Sequence, residues 1–291
     1  MIVGVDIGYG YTKNSNNIKF ASKYSSKETL INNSTIKLIY NNVAYTIGEG
    51  ELTVSMNKIS SLSTKLLLIT SLGLLNEKCF NVVAGLPVAQ FHKYKEELKN
   101  ELLKDRIIQF TINDKIKHLI IDDVYIFPQC LGAYYTINNI DLTKEYLLVD
   151  IGTRTVDIIS LYNNKIVKYS TILEGTISMY SDFIHAVNNK YDTNFQVEDA
   201  ERILKNGLYI YNVRKDLSFA KEIIKSHIDS IYKELELNYN PSTKLLLLSG
   251  GGAYLYINVI KVKYPHATLI PDAQFANANG FKKVGESIWQ R

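Results

Sequence analysis

The segments Val3-Gly-Val-Asp6-Ile7-Gly8-Tyr9-Gly10-Tyr11-Thr12-Lys13 and Leu147-Leu-Val-Asp150-Ile151-Gly152-Thr153-Arg154-Thr155-Val156-Asp157 share one pattern: an apolar strand ending in Asp-Ile-Gly, a short turn and a second strand. They stand about half a chain apart, so the 291 residues divide into two similar halves, each opening on a hairpin. No Pro/Ser-rich linker suggests a different division.

Hydrophobic periodicity fills in each half. The first predicts a hairpin over Thr35 to Ile47 turning on Asn41-Asn42, a helix near Ser60 to Asn76, and a strand at Asn81 to Ala84. An amphipathic helix from Val88 to Lys104 follows, then strands near Ile107 to Ile112 and Ile116 to Phe127, and a helix opened by Pro128. The second half predicts strands at Val156 to Tyr162 and Lys165 to Ile172 around Asn163-Asn164, and helices at Ile177 to Lys190, Val197 to Lys205 and Lys215 to Leu237. A buried strand at Lys244 to Leu248, a short helix, a strand at Ala267 to Ile270 and a helix after Asp272 complete it. Strands interleaved with helices in two repeats imply an α/β protein of two facing lobes.

With 46% hydrophobic and 21% charged residues, the chain can bury one large core or two smaller ones. Lys+Arg of 33 against Asp+Glu of 29 gives a net charge of +4, without the concentrated basic face of a dedicated nucleic-acid binder, so any DNA contact is expected to be indirect. Cys79 and Cys130 form no disulfide framework or metal spacing, and the five histidines are scattered. The longest nearly apolar run, Leu66 to Leu75, falls short of the roughly 20 residues of a membrane span. The chain also opens on a strand with no basic flank, and a cytoplasmic protein without a membrane partner is expected.

The chemistry lies in the hairpins. A glycine after a strand lets backbone approach an anion closely, and an Asp at the strand end would face that anion. Two carboxylates near a polyphosphate require a cation, and magnesium, which takes one or two carboxylates and keeps several waters, meets that need. Lys13 could add a point charge toward the phosphates. One such hairpin is an ordinary turn; two copies argue for a site. A third element, Leu248-Ser249-Gly250-Gly251-Gly252, empties a buried strand into glycines that could place backbone against a base or ribose. Neither a P-loop nor a helix-opening G-x-G-x-x-G occurs.

Together these three segments resemble the actin-like ATPase superfamily. The resemblance implies an actin-like two-domain fold of duplicated ribonuclease-H-like halves around a nucleotide cleft, with residues 1–138 plus 274–291 as one domain and 139–273 as the other. It implies Asp6 and Asp150 as catalytic residues that hold magnesium through waters, and Lys13 at the β- and γ-phosphates. Gly8, Tyr9, Gly10, Tyr11, Gly152, Thr153, Arg154, Thr155 and Gly175 complete the phosphate side, and Gly250, Gly251 and Gly252 line the adenosine. Phe127-Pro128-Gln129-Cys130-Leu131-Gly132-Ala133-Tyr134 resembles the first inter-domain helix, with Gln129 where the residue positioning the attacking water is found; alternatively, Gln129 occupies an exposed helical turn. Ala276 to Phe281 is similar to the segment leading back into the first domain.

Within the superfamily, the chain looks most like the ParM-type plasmid-segregation actins and their archaeal relatives. That likeness implies an ATP/ADP cofactor with GTP as the alternative, self-assembly into filaments, and a DNA-bound adaptor of the ParR type. Ala200 to Gly207 resembles the base-contacting helix, with Lys205 and Asn206 as nucleotide neighbours or as part of a solvated surface. Tyr9 stands where conventional actins have a small hydroxyl, and Arg154 where the family has a small residue; Arg154 either stabilises phosphate charge or points outward. The other reading is a small-molecule, sugar-type kinase with Asp122 or Asp123 as base. Against it, the second loop lacks that group's glycine-rich pattern. The terminal segment from Phe281 has a helical spacing that fits docking on the first domain better than a lipid anchor, which argues against a membrane-tethered actin.

Overall fold

The computed structural model describes residues 1–26, 35–52 and 62–290. In chain order the first half runs β1 (Ile2–Ile7), β2 (Tyr11–Asn14), β3 (Lys19–Ala21), β4 (Lys23–Ser25), β5 (Ile36–Tyr40), β6 (Val43–Ile47), β7 (Glu51–Leu52), α1 (Leu62–Gly73), β8 (Cys79–Leu86), α2 (Val88–Leu103), β9 (Ile107–Ile112), β10 (Lys115–Pro128) and the single turn α3 (Leu131–Tyr134). The second half runs β11 (Glu145–Ile151), β12 (Val156–Tyr162), β13 (Lys165–Ile172), α4 (Thr176–Tyr191), α5 (Ala200–Asn206), β14 (Tyr209–Ile210), β15 (Val213–Arg214), α6 (Ala220–Asn238), β16 (Leu245–Ser249), α7 (Ala253–Lys263), β17 (Thr268–Leu269) and α8 (Ala276–Trp289).

The repeated hairpins build repeated sheets. Among the described residues the first sheet contains the order β3-β2-β1-β8-β10, and the second is β13-β12-β11-β16-β17. In each, the strand ending in Asp-Ile-Gly pairs antiparallel with its returning strand and parallel with the next one in. A further parallel strand follows, β10 beside β8 and β17 beside β16. The first sheet then continues through β9, β5, β6, β4 and β7. Parallel strands covered on both faces read as nearly continuous apolar runs, which Leu147–Val149 and Leu245–Leu248 display.

Each sheet has its own core. Val3, Val5, Phe80, Val82 and Ile121 pack with Leu66, Leu68 and Leu72 of α1 and Leu98 of α2. Leu147, Val149, Leu246 and Leu248 pack with Ile228 and Leu235 of α6 and with Tyr256 and Ile260 of α7. The chain leaves the first sheet through α3 and returns as α8, which packs against α3, β1 and β8. This is the docking expected of the terminal segment. Among the described residues no helix is long and apolar enough to cross a membrane.

Both Asn-Asn turns form as expected, with left-handed φ values of 51° and 61° at Asn41 and Asn42 and 49° and 58° at Asn163 and Asn164. Three expectations change. Pro128 closes β10 opposite Leu86 instead of opening a helix; the strand tolerates proline at its end, and α3 starts only after Cys130 turns the chain at φ 67°. The helix expected from Lys215 begins at Ala220, because Val213–Arg214 pairs back on Tyr209–Ile210 and Ser218 N donates to Asp216 Oδ1 in a turn. The helix expected from Val197 starts with a 3₁₀ turn over Val197–Asp199, fixed by a capping box of Gln196 and Asp199. The start of the helix expected from Ser60 lies outside the described residues; what is described of it begins at Leu62.

Candidate active site

The two Asp-Ile-Gly turns close in the same way. Gly8 N donates to Tyr11 O at 3.1 Å, and Gly152 N donates to Thr155 O at 2.9 Å. They also abut: a Cβ on Gly10 would lie 2.7 Å from Thr153 Cβ, so only glycine permits this approach of one loop to the other. Gly175 packs so closely on the Thr153–Arg154 backbone that a side chain there would strike it. A cavity of about 560 Å³ opens between the sheets at this junction.

At its buried end lie the two aspartates. Asp6 faces Lys13 across the β1–β2 ladder, and Lys13 Nζ lies 2.9 Å from Asp6 Oδ2. Gln129 Nε2 donates to Asp6 Oδ1 at 2.9 Å, while Gln129 N donates to Leu86 O at 2.7 Å, so strand pairing fixes the amide against the carboxylate. Gln129 is therefore a buried residue and not part of an exposed turn. Asp150, opposite Asp157 in β11–β12, accepts from Asn277 Nδ2 at 2.7 Å. Thr171 Oγ1 donates to Asp157 Oδ1 at 2.6 Å.

The electrostatics follow from this crowding. Burial, then the neighbouring charge of Asp6, raises the Asp150 pKa above the ordinary carboxylate value, against the pull of Lys13. Burial opposes the Lys13 ammonium, yet the Asp6 carboxylate outweighs it and holds that pKa above the usual lysine value. Cys130, buried beneath the site, is pushed well up by desolvation and by Asp150 and Asp157, so it is an inert thiol.

The glycine turn after β16 completes the wall. Gly250 has φ +84°, and a side chain there would strike Asp150 and the Ile151 carbonyl. Gly250 N donates to Ala273 O and Gly252 N to Ile151 O, each at 2.9 Å, which ties this turn to the second Asp-Ile-Gly strand. From the far side come Thr176, Ile177 and Tyr180 of α4 with Glu198 and Glu201. Tyr11 OH donates to Glu201 Oε2 at 3.5 Å, and Lys23 Nζ lies 2.9 Å from Glu198 Oε1, so both contacts cross the mouth between the sheets.

Of the residues expected at the site, Asp6, Gly8, Tyr9, Gly10, Tyr11, Lys13, Gln129, Asp150, Gly152, Thr153, Thr155 and Gly250 to Gly252 line this one cavity. Lys205, Asn206, Arg154 and Gly175 do not. Lys205 and Asn206 are exposed; Glu201 reaches the cavity from the same helical face as Lys205, one turn earlier. The Arg154 guanidinium sits over the Tyr9 ring at 5.8 Å, a cation–π contact between the loops instead of a contact with the cavity. Asp122 and Asp123 also lie elsewhere, beside Arg106 at 3.5 Å and Lys99 at 3.3 Å. Tyr180, Glu198, Glu201, Asn277 and Asp157 were not singled out by the sequence as site residues. The position of Asp157 in the repeat and of Asn277 in the linking segment was the available signal.

Residues 4–132 match the family model described as the N-terminal domain of actin-like proteins. No curated protein matches the chain in sequence. Among solved structures, the archaeal actin homologue Ta0583 is similar with a TM-score of 0.85 at 20% identity, covering 99% of each chain. Its complex with ADP is similar with a TM-score of 0.80 at 18% identity, again over 99% of each chain. A 15-stranded ParM filament from Clostridium botulinum is similar with a TM-score of 0.79 at 24% identity, covering 98% of this chain and 99% of that one. Residues 4–132 are thus similar to the N-terminal domain of actin-like proteins, and the whole chain has the actin-like two-domain fold.

Proposed function

We propose that this chain is a nucleoside triphosphatase that polymerises with ATP in its cleft and weakens its subunit contacts on hydrolysis. The observation that carries the reading is the convergence of Asp6, Asp150 and Gln129 in one buried place between two glycine turns. The lobes, taken as residues 1–138 with 274–291 and residues 139–273, meet at this cavity, so a bound nucleotide touches both and favours one arrangement of them. ATP is the proposed substrate and GTP the alternative. The reading draws on the ADP complex of the archaeal homologue and on the ParM filament, both of the same fold.

Asp6 and Asp150 would hold magnesium through waters, with phosphate oxygens completing its shell. The donor set fits: two carboxylates converge here, whereas among the described residues no three His, Cys, Asp or Glu side chains form a protein cage. When bound, the ion neutralises charge on the polyphosphate. Lys13 stays cationic beside Asp6 and adds a fixed positive charge near the phosphates. Gln129, anchored through Nε2 to Asp6, orients the attacking water. Gly8 to Tyr11, Gly152, Thr153, Thr155 and Gly250 to Gly252 would line the polyphosphate and adenosine, and Gly175 supports the second loop from behind.

The proposed cellular role is plasmid DNA segregation in the cytoplasm. A net charge of +4 fits contact with DNA through a bound adaptor of the ParR type and not directly. Open-ended head-to-tail contacts between copies would generate the filament. The two bases named for the kinase alternative, Asp122 and Asp123, lie outside the cavity. Phosphate release from ATP, measured without any hydroxylated acceptor, tests the reading. Steady release that falls about 100-fold in Gln129→Ala is expected. Release that begins only when a sugar is added would transfer the chain to the kinases.

A further inference from the structure

Asp6 takes its amide hydrogen bond from Gln129, at the segment where the chain leaves the first sheet. Asp150 takes the equivalent bond from Asn277, in the first turn of α8, where the chain returns. Asn277 is buried and also accepts: Ala133 N of α3 donates to its Oδ1 at 3.1 Å. Its orientation has one solution. A backbone N–H can only donate and an ionised carboxylate can only accept, so Oδ1 faces Ala133 and Nδ2 faces Asp150. The platform is rigid, because α3 and α8 cross so tightly that a Cβ on Gly280 would enter the Gly132 carbonyl.

We infer that Asn277 is the positioning residue of Asp150: it ties one oxygen of that carboxylate to the crossing of the two linking segments and so fixes its angle toward the magnesium shell. The inference rests on the nucleotide-binding reading above. In this role Asn277, which also lines the cavity, acts through Asp150. Side chains that orient a metal-holding group typically contribute 10- to 100-fold in metal affinity.

The test is ADP binding by calorimetry, at a series of magnesium concentrations and in EDTA, for the wild-type chain and Asn277→Ala. The magnesium concentration giving half of the full ADP affinity is expected to rise about 10- to 100-fold in the variant. ADP affinity in EDTA should fall much less than ADP affinity in limiting magnesium, since a general loss of structure would lower both alike. Asn277→Leu keeps the branched shape while removing both the donor and the acceptor, and it carries the test should the alanine variant not fold. A magnesium requirement unchanged within about threefold, in a folded variant, overturns the inference while leaving the nucleotide site standing. Failure of the wild-type chain to bind ADP at any magnesium concentration overturns both.

Discussion

Asp6 and Lys13 are cross-strand partners whose side chains lie 2.9 Å apart, whereas the same position opposite Asp150 is held by Asp157. The first hairpin therefore neutralises its own carboxylate and the second does not. Burial and the charge of Asp6 hold the Asp150 pKa above its ordinary value in the folded chain.

A raised carboxyl takes up a proton on folding, so its contribution to stability is fully present below the unfolded value of about 3.9 and is lost as pH rises through the folded value. Asp150→Asn is neutral throughout and escapes that loss. The ligand-free variant is predicted to exceed the wild type by about 1 kcal/mol at pH 7.5 and to lose that advantage near pH 4, as read by urea denaturation at both values. An advantage of equal size at the two pH values would show that the charge of Asp150 is not its source.

Removal of the same side chain tests its chemical role. Asp150→Ala is expected to lower phosphate release about 100-fold or more while ADP binding partly survives, because Asp6, Lys13 and the glycine turns remain. Unchanged turnover would remove Asp150 from the reaction.

The contact between the two Asp-Ile-Gly turns predicts a coupled pair. Gly10→Ala places a methyl group against Thr153 and is expected to weaken nucleotide binding about tenfold by forcing the loops apart. Thr153→Gly removes the obstructing atoms, so the double variant should recover part of that loss, and calorimetric titration of all four chains gives the coupling energy. Strict additivity would mean that the loops do not meet in solution.

The crossing of α3 and α8 predicts a stability effect remote from charge. Gly280→Ala drives a methyl group into the Gly132 carbonyl and is expected to cost about 3 kcal/mol, seen as a lower urea midpoint at unchanged slope. Gly207→Ala, at a glycine whose Cβ would meet only ordinary contacts at 3.5 Å or more but whose φ is +84°, should cost about 1 kcal/mol and serves as the comparison.

What the sequence disclosed about this site is what local physics encodes. The strand-Asp-Ile-Gly-strand repeat specifies both hairpins through residues adjacent in the chain, and each Asn-Asn pair specifies a turn through its tolerance of positive φ. The amide of Gln129 was legible through family resemblance, yet its burial was not, because pairing of β10 with β8 carries strand structure through Pro128. Glu198, Glu201 and Tyr180 belong to helical segments whose composition matches a solvated face. They become cavity residues only through packing of one lobe against the other, as the Tyr11–Glu201 and Lys23–Glu198 contacts show. Asn277 was visible as a small polar residue in a linking segment, but its hydrogen bond to Asp150 spans residues far apart in sequence.

The central claim is that occupancy of the cleft controls assembly of the chain. Light scattering and phosphate release, followed together on one sample after ATP is added in magnesium, test it most directly. The account predicts scattering that rises above a threshold protein concentration, phosphate release that lags behind it, and disassembly as ADP accumulates. A chain that releases phosphate at the same specific rate at every concentration, without scattering and as a monomer throughout, would contradict it.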